Sequence, residues 1–336
     1  MSRSPTIIDV AKLAGVSKAT AARVLNGQRD MVRASTQERV LAAAEKLGYV
    51  RNAIAGGLRT NQTHVIALSI PDITNPFWPE LARGVQDTME AEGYATVIVN
   101  SDWKAEREAN FLTLVRRNRF DGLIINVVDI SADELSKLNI PVVILGSGIK
   151  YPLLDGVGSD TAQGTDAALQ HLYDLGHRRI GLISALSRRR YSTQVERYIA
   201  FYEKKQLLLD RSILIEGDFN EEAGYEAMQR LLSLAEPPTA VLAVNDNIAI
   251  GALKSAQALS WRVPEDISIV GMDDIHAAAT TSPALTTVAK PKYDIGVTAA
   301  QILVERMQNP EATEVSKLKL PCELIVRGST TAPRGM

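Results

Sequence analysis

The stretch TIIDVAKLAGVSKATAARVLNG, residues 6–27, decides how the head of the chain folds. Thr6 followed by Asp9 places a capping hydroxyl before an acid in the first helical turn, and Ile7, Val10, Ala11 and Ala14 then recur at helical spacing. A first helix over residues 7–14 follows. Gly15 supplies the turn, Val16 fills its corner, and Ser17 caps a second helix that continues through Lys18, Thr20, Arg23 and Leu25 to Asn26 and Gly27. The inner positions are small where the two helices touch (Ala11, Ala21) and branched where the core widens (Val10, Val16, Val24). That pattern predicts a helix-turn-helix.

Residues 35–47 predict a third amphipathic helix with Val40, Leu41, Ala44 and Leu47 inward and Gly48 as its stop, which closes a minimal three-helix core. The outer face of the second helix is left with Lys18, Ala19 and Arg23, and with the hydroxyls of Ser17 and Thr20 at its start. These are groups for base edges and for phosphates. Charge agrees: residues 1–60 hold ten Lys/Arg against four Asp/Glu, and the remainder holds 27 against 35. A basic head on an acidic body suits one-ended binding to a polyphosphate.

The segments TIIDVAKLAGVSKATAARVLNG and STQERVLAAAEKLGYVRNAIAGGLR together resemble the head of the LacI/GalR family of bacterial transcription regulators, and the likeness extends to the C-terminus. The resemblance implies that the second helix lies in the major groove with Lys18, Ala19 and Arg23 at base-reading positions, while Thr6, Ser17, Thr20, Asn26 and Tyr49 hold the backbone. It makes residues 52–59 a hinge helix that forms on operator DNA, with Asn52 and Ala55 on the DNA side, Leu58 wedged into the minor groove and Arg59 beside it. Ala22 stands where the family often has serine, and Arg51 where it usually has proline. Gly56 and Gly57 each cost about 1 kcal/mol in a helix relative to alanine, so this hinge is expected to depend on DNA for its order.

From His64 onward the pattern changes to apolar strands alternating with helices. Strands are expected at 65–70, 95–100, 122–127 and 142–145, then at 180–184, 240–245 and 267–272, with helices such as 80–92 between them. The pattern gives an all-α helix-turn-helix head followed by an α/β body of two doubly wound parallel-sheet lobes, and the family resemblance implies the arrangement of a type I periplasmic binding protein. The expected divisions are a DNA-binding domain over 1–50, a hinge over 51–62 and a sensor over 63–336, with one lobe from about 63–160 and 291–320 and the other from about 161–290 and 321–330.

Ligands of such folds sit beyond the carboxyl ends of strands, which points to 71–78, Asp160, 184–197, Phe219, Asn245-Asp246 and 272–274. Asp246 also reads as a plain cap for the helix at Asn247. Positions matching the family's effector contacts hold Asn75, Phe77, Asp160, Tyr191, Thr193, Arg197, Phe219, Asn245 and Asp273. Arg197 and Asp273 are the charged recognisers, and Phe77, Trp78 and Phe219 cover a flat or apolar ligand face. The run Arg188, Arg189, Arg190 is a solvated surface feature or a selector for an anionic effector.

The single Cys322 excludes an internal disulfide, no apolar run reaches membrane length, and the N-terminus lacks a secretory core, so a cytoplasmic protein is expected. His64, His171, His177 and His276 are scattered, and no P-loop or GxGxxG occurs, so neither catalysis nor a metal or cofactor is expected. The segment LKLPCELIVRGST, residues 318–330, resembles the family's closing strand, and no leucine heptads follow it, which favours a homodimer on a roughly palindromic operator. The competing class is a solute-binding protein of a transport system, which shares the bilobed body but has no use for residues 1–60.

Overall fold

The computed structural model describes residues 5–25, 27, 29–49, 62–146, 151–185 and 192–334. The chain divides into two compact units, Met1–His64 and Val65–Met336.

In the head, α1 (Ile7–Ala14), α2 (Lys18–Leu25) and α3 (Ala34–Lys46) pack around Val10, Ala11, Ala14, Ala21, Val24, Val40, Ala43 and Ala44. Asp9 folds back on the start of α1 and accepts from the Thr6 N–H (2.7 Å) and the Thr6 hydroxyl (2.6 Å). Gly15 takes a left-handed conformation (φ 65°) that ends α1 in a single residue, and its N–H reaches the carbonyls of Ala11 and Lys12. Ser17 then caps α2, accepting from the Thr20 N–H at 3.1 Å. Two expectations for α3 need correction. It starts at Ala34 behind Arg33, which offers no side-chain cap. Leu41 is 39% exposed, because at 100° per residue the stripe set by Val40 continues through Ala43 and Ala44 rather than its neighbour.

The larger unit has two six-stranded sheets. The first runs in the order β11-β5-β4-β3-β1-β2, where β1 is Val65–Ile70, β2 Ala95–Asn100, β3 Gly122–Ile125, β4 Val142–Leu145, β5 Asp155–Ser159 and β11 Lys317–Leu320. The second runs β12-β10-β9-β8-β6-β7, where β6 is Ile180–Ala185, β7 Leu214–Gly217, β8 Ala240–Ala243, β9 Ser268–Asp273, β10 Thr286–Ala289 and β12 Glu323–Ile325. Among the described residues every strand pairing is parallel except β10 with β12, which is antiparallel. Successive β1 residues serve different layers: Ile66, Leu68 and Ile70 enter one core cluster and Ala67 the other, as expected of a sheet covered on both faces.

Around the first sheet lie α4 (Phe77–Ala91), α5 (Ala105–Asn118), α6 (Ala132–Ser136) and α12 (Lys292–Gln308), and around the second α7 (Thr161–Asp174), α8 (Thr193–Lys204), α9 (Glu221–Leu232), α10 (Asp246–Ala258) and α11 (His276–Thr280). The chain crosses between the lobes three times: from β5 into α7, from β10 into α12, and from β11 into β12. Three of the expected strands end elsewhere, at Ile125, Ala185 and Ala243, and β9 runs over 268–273. Strands β5, β7 and β10 had no comparable apolar run to announce them; β5 reads DGVGS and β10 TTVA.

Each lobe contains one helix pair in near-backbone contact. A Cβ on Gly251 would stand 1.9 Å from the Glu221 carbonyl oxygen, and one on Gly224 2.1 Å from that of Ile248, so α9 and α10 touch only because both positions are glycine. In the first lobe Gly84 and Gly296 do the same for α4 and α12. Gly251→Val is therefore expected to cost at least about 1–3 kcal/mol in urea unfolding, the usual range for overpacking, because backbone rather than a movable side chain is in the way.

Candidate nucleic-acid interface and effector cleft

On the head, Lys18, Ala19 and Arg23 are all exposed on α2, and Ser17 is exposed at its start. The Ser17 and Thr20 hydroxyls lie 2.9 Å apart beside the unpaired N–H end of the helix, where a phosphate is electrostatically favoured. α2 has no acid in its first turn and a basic residue in its last. Thr6 and Tyr49 are half-buried, Thr6 engaged with Asp9 and Tyr49 packed against the head core. Asn26, Asn52, Ala55, Leu58 and Arg59 lie outside the described residues.

Between the lobes the strand ends enclose a cavity of about 180 Å³. Asn75, Phe77, Trp78, Trp103, Asn126 and Ser159 line it from the first lobe, Gln194, Phe219, Asn245 and Asp273 from the second, and Lys290 from a crossing segment. Each is set by a local device. Asn75 accepts from the Phe77 N–H (3.1 Å) and starts α4, while Phe77 and Trp78 meet edge to face at 4.9 Å. Asn245 caps α10 by accepting from the Ile248 N–H at 2.8 Å, and its amide nitrogen donates to the Phe219 carbonyl. The cap is thus Asn245, not Asp246. The loop after Asn126 is clamped by the fully buried Glu108, whose carboxylate accepts the backbone N–H groups of Val128, Asp129 and Ile130 at 2.7–3.1 Å.

The charges in the cleft are matched. Asp273, held at φ 122°, pairs with Lys290 at 2.8 Å, both largely buried, and the Lys290 ammonium also stands 5.5 Å over the Phe77 ring. Burial pushes the Asp273 carboxyl up from its ordinary value, and Lys290 and Lys292 oppose that rise. Lys292, only 5% exposed, donates to the carbonyls of Asp273 (2.9 Å) and Asp274 (3.0 Å) from the second lobe and pairs with Glu80 of α4 in the first. Beneath them Asp246 is wholly buried. It accepts from the Ile275 N–H and the Thr287 hydroxyl, and burial, with Asp273 nearby, pushes its carboxyl up to about 7.

Of the expected effector residues, Asn75, Phe77, Phe219, Asn245 and Asp273 converge on this cavity. Asp160, Thr193 and Arg197 do not line it. Asp160 caps α7 through the Gln163 N–H, Thr193 is exposed at the start of α8, and Arg197 is held in a two-point ion pair by Asp166. The charged partner of Asp273 is therefore Lys290 rather than Arg197, because Asp166, one helix face away on α7, already engages that guanidinium. Tyr191 and the Arg188–Arg190 run lie outside the described residues. Sequence reading missed Trp103, Asn126 and Lys290, while Gln194 falls within the expected 184–197 stretch. Asn126 was hidden by extending β3 two residues too far, and Lys290 follows a strand too polar to be recognised.

Comparison with known proteins matches residues 6–52 to the model of bacterial regulatory proteins of the lacI family, and residues 169–330 to the periplasmic binding protein-like domain. Catabolite control protein A of Priestia megaterium is 36% identical over 330 residues, 97% of this chain and 99% of that protein. The chain belongs to the LacI family. Among solved structures, the Lac repressor dimer bound to operator and the anti-inducer ONPF aligns with a TM-score of 0.86 at 26% identity, covering 98% of this chain and all of that one. A LacI family regulator from Enterococcus faecium with bound ribose aligns at 0.72 and 31% identity over 80% of this chain and 99% of its own. The type I binding-protein architecture with a helical head is thereby that of LacI-family regulators, and such a protein is a transcription regulator, not an enzyme. Among the described residues no helix is long and apolar enough to cross a membrane, and no cluster of His, Cys, Asp and Glu is arranged to hold a metal.

Proposed function

We propose that this LacI-family member is a cytoplasmic, homodimeric repressor that grips a roughly palindromic operator through α2 and the hinge segment, and whose grip is set by a neutral, hydroxyl-rich effector, a sugar or sugar derivative, held in the cleft. The observation that carries the first half is the outer face of α2, where Lys18, Ala19 and Arg23 are exposed with no acid beside them in the first turn. Arg23 has the length and planar fork to take guanine at two points, whereas Ala19 offers a methyl group only. Arg23→Ala is expected to lose about 1–3 kcal/mol of preference for the selected site over its single-base variants while leaving non-specific binding to duplex nearly intact, as read by fluorescence anisotropy.

The chemistry of the cleft lining supports this effector class. The lining carries amides that both donate and accept (Asn75, Asn126, Gln194, Asn245), apolar ring faces, and one acid already neutralised by one base. Such a site accepts a neutral polyol with an apolar face more readily than an anion. Ribose in the Enterococcus faecium relative points the same way. Dimerisation is supported by β2, an edge strand that leaves Val97 and Ile98 exposed.

Effector binding then changes operator affinity by shifting the population of lobe arrangements in the body. The test is selection of an operator from random duplex, followed by anisotropy with ribose, other neutral sugars, sugar phosphates and nucleosides added. A neutral sugar that changes operator affinity supports the proposal; a response confined to phosphorylated sugars or nucleosides contradicts the effector class. Sedimentation of the free protein reads the dimer.

A further inference from the structure

The topology gives the cleft a hinged side and a free side. In each sheet the crossings leave from the strands at one end, β5 and β11 in the first lobe and β10 and β12 in the second, and the opposite ends are β2 and β7. The loops that follow β2 and β7 carry Trp103 and Phe219, at matching places in the two lobes. Their rings lie 4.9 Å apart and 11° from parallel, the one stacked aromatic pair among the described residues that joins the lobes.

Trp103 is not simply core. It is 40% exposed, and both Asp102 (φ 49°) and Trp103 (φ 56°) adopt the left-handed conformation that residues with a side chain seldom occupy. The turn is fixed by its own lobe. The N–H groups of Ser101 and Asp102 donate to Ile70 (3.0 Å) and Pro71 (2.8 Å), that of Lys104 to Ser101 (2.9 Å), and Arg107 pairs with Asp102. Two consecutive strained residues, held by that many bonds, serve to present an indole at the edge of the first lobe, and the side chain it meets there comes from the second.

We propose that Trp103 and Phe219 form an aromatic clasp that joins the free edges of the lobes opposite the crossings and gates entry to the cleft, a role that rests on the cleft being the effector site. A stacked pair of this kind shifts an opening equilibrium about two- to tenfold, enough to slow exchange through the mouth without locking it. The clasp also makes Trp103 a determinant of which effectors fit, since a ligand filling the cavity has this indole as its outer cover.

The test uses the full chain without any effector. Trp78 lines the cavity and is nearly buried, so acrylamide quenching of its fluorescence reads how often the mouth opens. Trp103→Ala removes the clasp and the third emitter together, leaving Trp78 and Trp261. Trp103→Phe removes the emitter but keeps a ring to stack. The Trp78 quenching constant is expected to be about two- to tenfold higher in Trp103→Ala than in Trp103→Phe, and Phe219→Ala in the Trp103→Phe background is expected to raise it to the Trp103→Ala level. Fluorine NMR of 5-fluorotryptophan protein provides the folding control, with the Trp261 signal unmoved throughout. Equal quenching in the alanine and phenylalanine variants overturns the clasp, and so does a Trp103 fluorine signal that ignores Phe219→Ala in otherwise native protein. Because no effector enters the experiment, its failure leaves the operator titration above to judge the cleft separately.

Discussion

Lys290→Met is expected to destabilise the sensor body by roughly 3–5 kcal/mol at neutral pH, because it removes the cation from a buried pair and leaves the Asp273 carboxylate uncompensated. Lys292 restrains the loss, since its ammonium lies on the carbonyls of Asp273 and Asp274 and lowers the Asp273 carboxyl. The defect should depend on pH. Deprived of Lys290, Asp273 escapes part of the penalty by taking up a proton, so the deficit shrinks toward pH 5 and grows toward pH 8. The double variant Lys290→Met, Asp273→Asn should recover most of the stability, because no charge is left stranded. Urea unfolding of the three proteins at two pH values decides the matter. A Lys290→Met protein within 0.5 kcal/mol, roughly, of the parent at pH 8 would mean that the pair is solvated and not the desolvated floor of the cleft described above.

The second large effect concerns Asp246. Its folded value of about 7 lies above the ordinary 3.8, so the native state holds a proton that the unfolded chain releases. Stability is then unaffected by this group at acid pH, falls as pH rises from about 4 to about 7, and levels off above that. At about 1.4 kcal/mol per pH unit the full range amounts to something on the order of 4 kcal/mol, an upper bound because Asp273 titrates against it. Asp246→Asn should flatten the slope and make the protein more stable than its parent at pH 8. Asparagine can still accept from the Ile275 N–H and turn its amide toward the Thr287 hydroxyl, so the bonding survives while the ionisation does not. Thermal unfolding from pH 5 to pH 8 checks the sign. An Asp246→Asn protein with the same pH slope as its parent contradicts the burial of this carboxyl, because the partly buried His171 and His177 add an opposite slope to both proteins alike.

The head was legible almost to the residue because its signals are local: a capping pair at Thr6 and Asp9, a left-handed Gly15, and apolar positions that repeat every three to four residues. Of the two misreadings, the start of α3 at Ala34 is a shift of one residue, and Leu41 came from counting an apolar residue as inward without checking its angle on the helix. In the body, runs such as VIALSI and VVIL declare buried strands by composition alone. Strands like DGVGS cannot, since their place in the sheet is fixed by neighbours far along the chain and by glycines that admit close backbone; a Cβ on Gly158 would stand 2.9 Å from Gly146.

The site was half legible for the same reason. Asn75, Phe77, Phe219, Asn245 and Asp273 follow strands that could be recognised or match family positions, and they reach the cavity. Which cation would face Asp273 is a tertiary fact. Nothing in the local sequence distinguishes Arg197, taken up by Asp166, from Lys290, which is free to turn inward at the crossing. Trp103 is similar: its role depends on meeting Phe219, 116 residues later, across a cleft that no pattern in either loop encodes.

The basic head is expected to read duplex sequence. The most direct test is anisotropy of the full chain on an operator selected from random duplex, against a scrambled duplex of equal length at physiological salt. The selected site is expected to bind at least about a thousandfold tighter, with both affinities falling steeply as salt rises. Equal affinity for the two duplexes, or no binding to either at low salt, would contradict that role of the head.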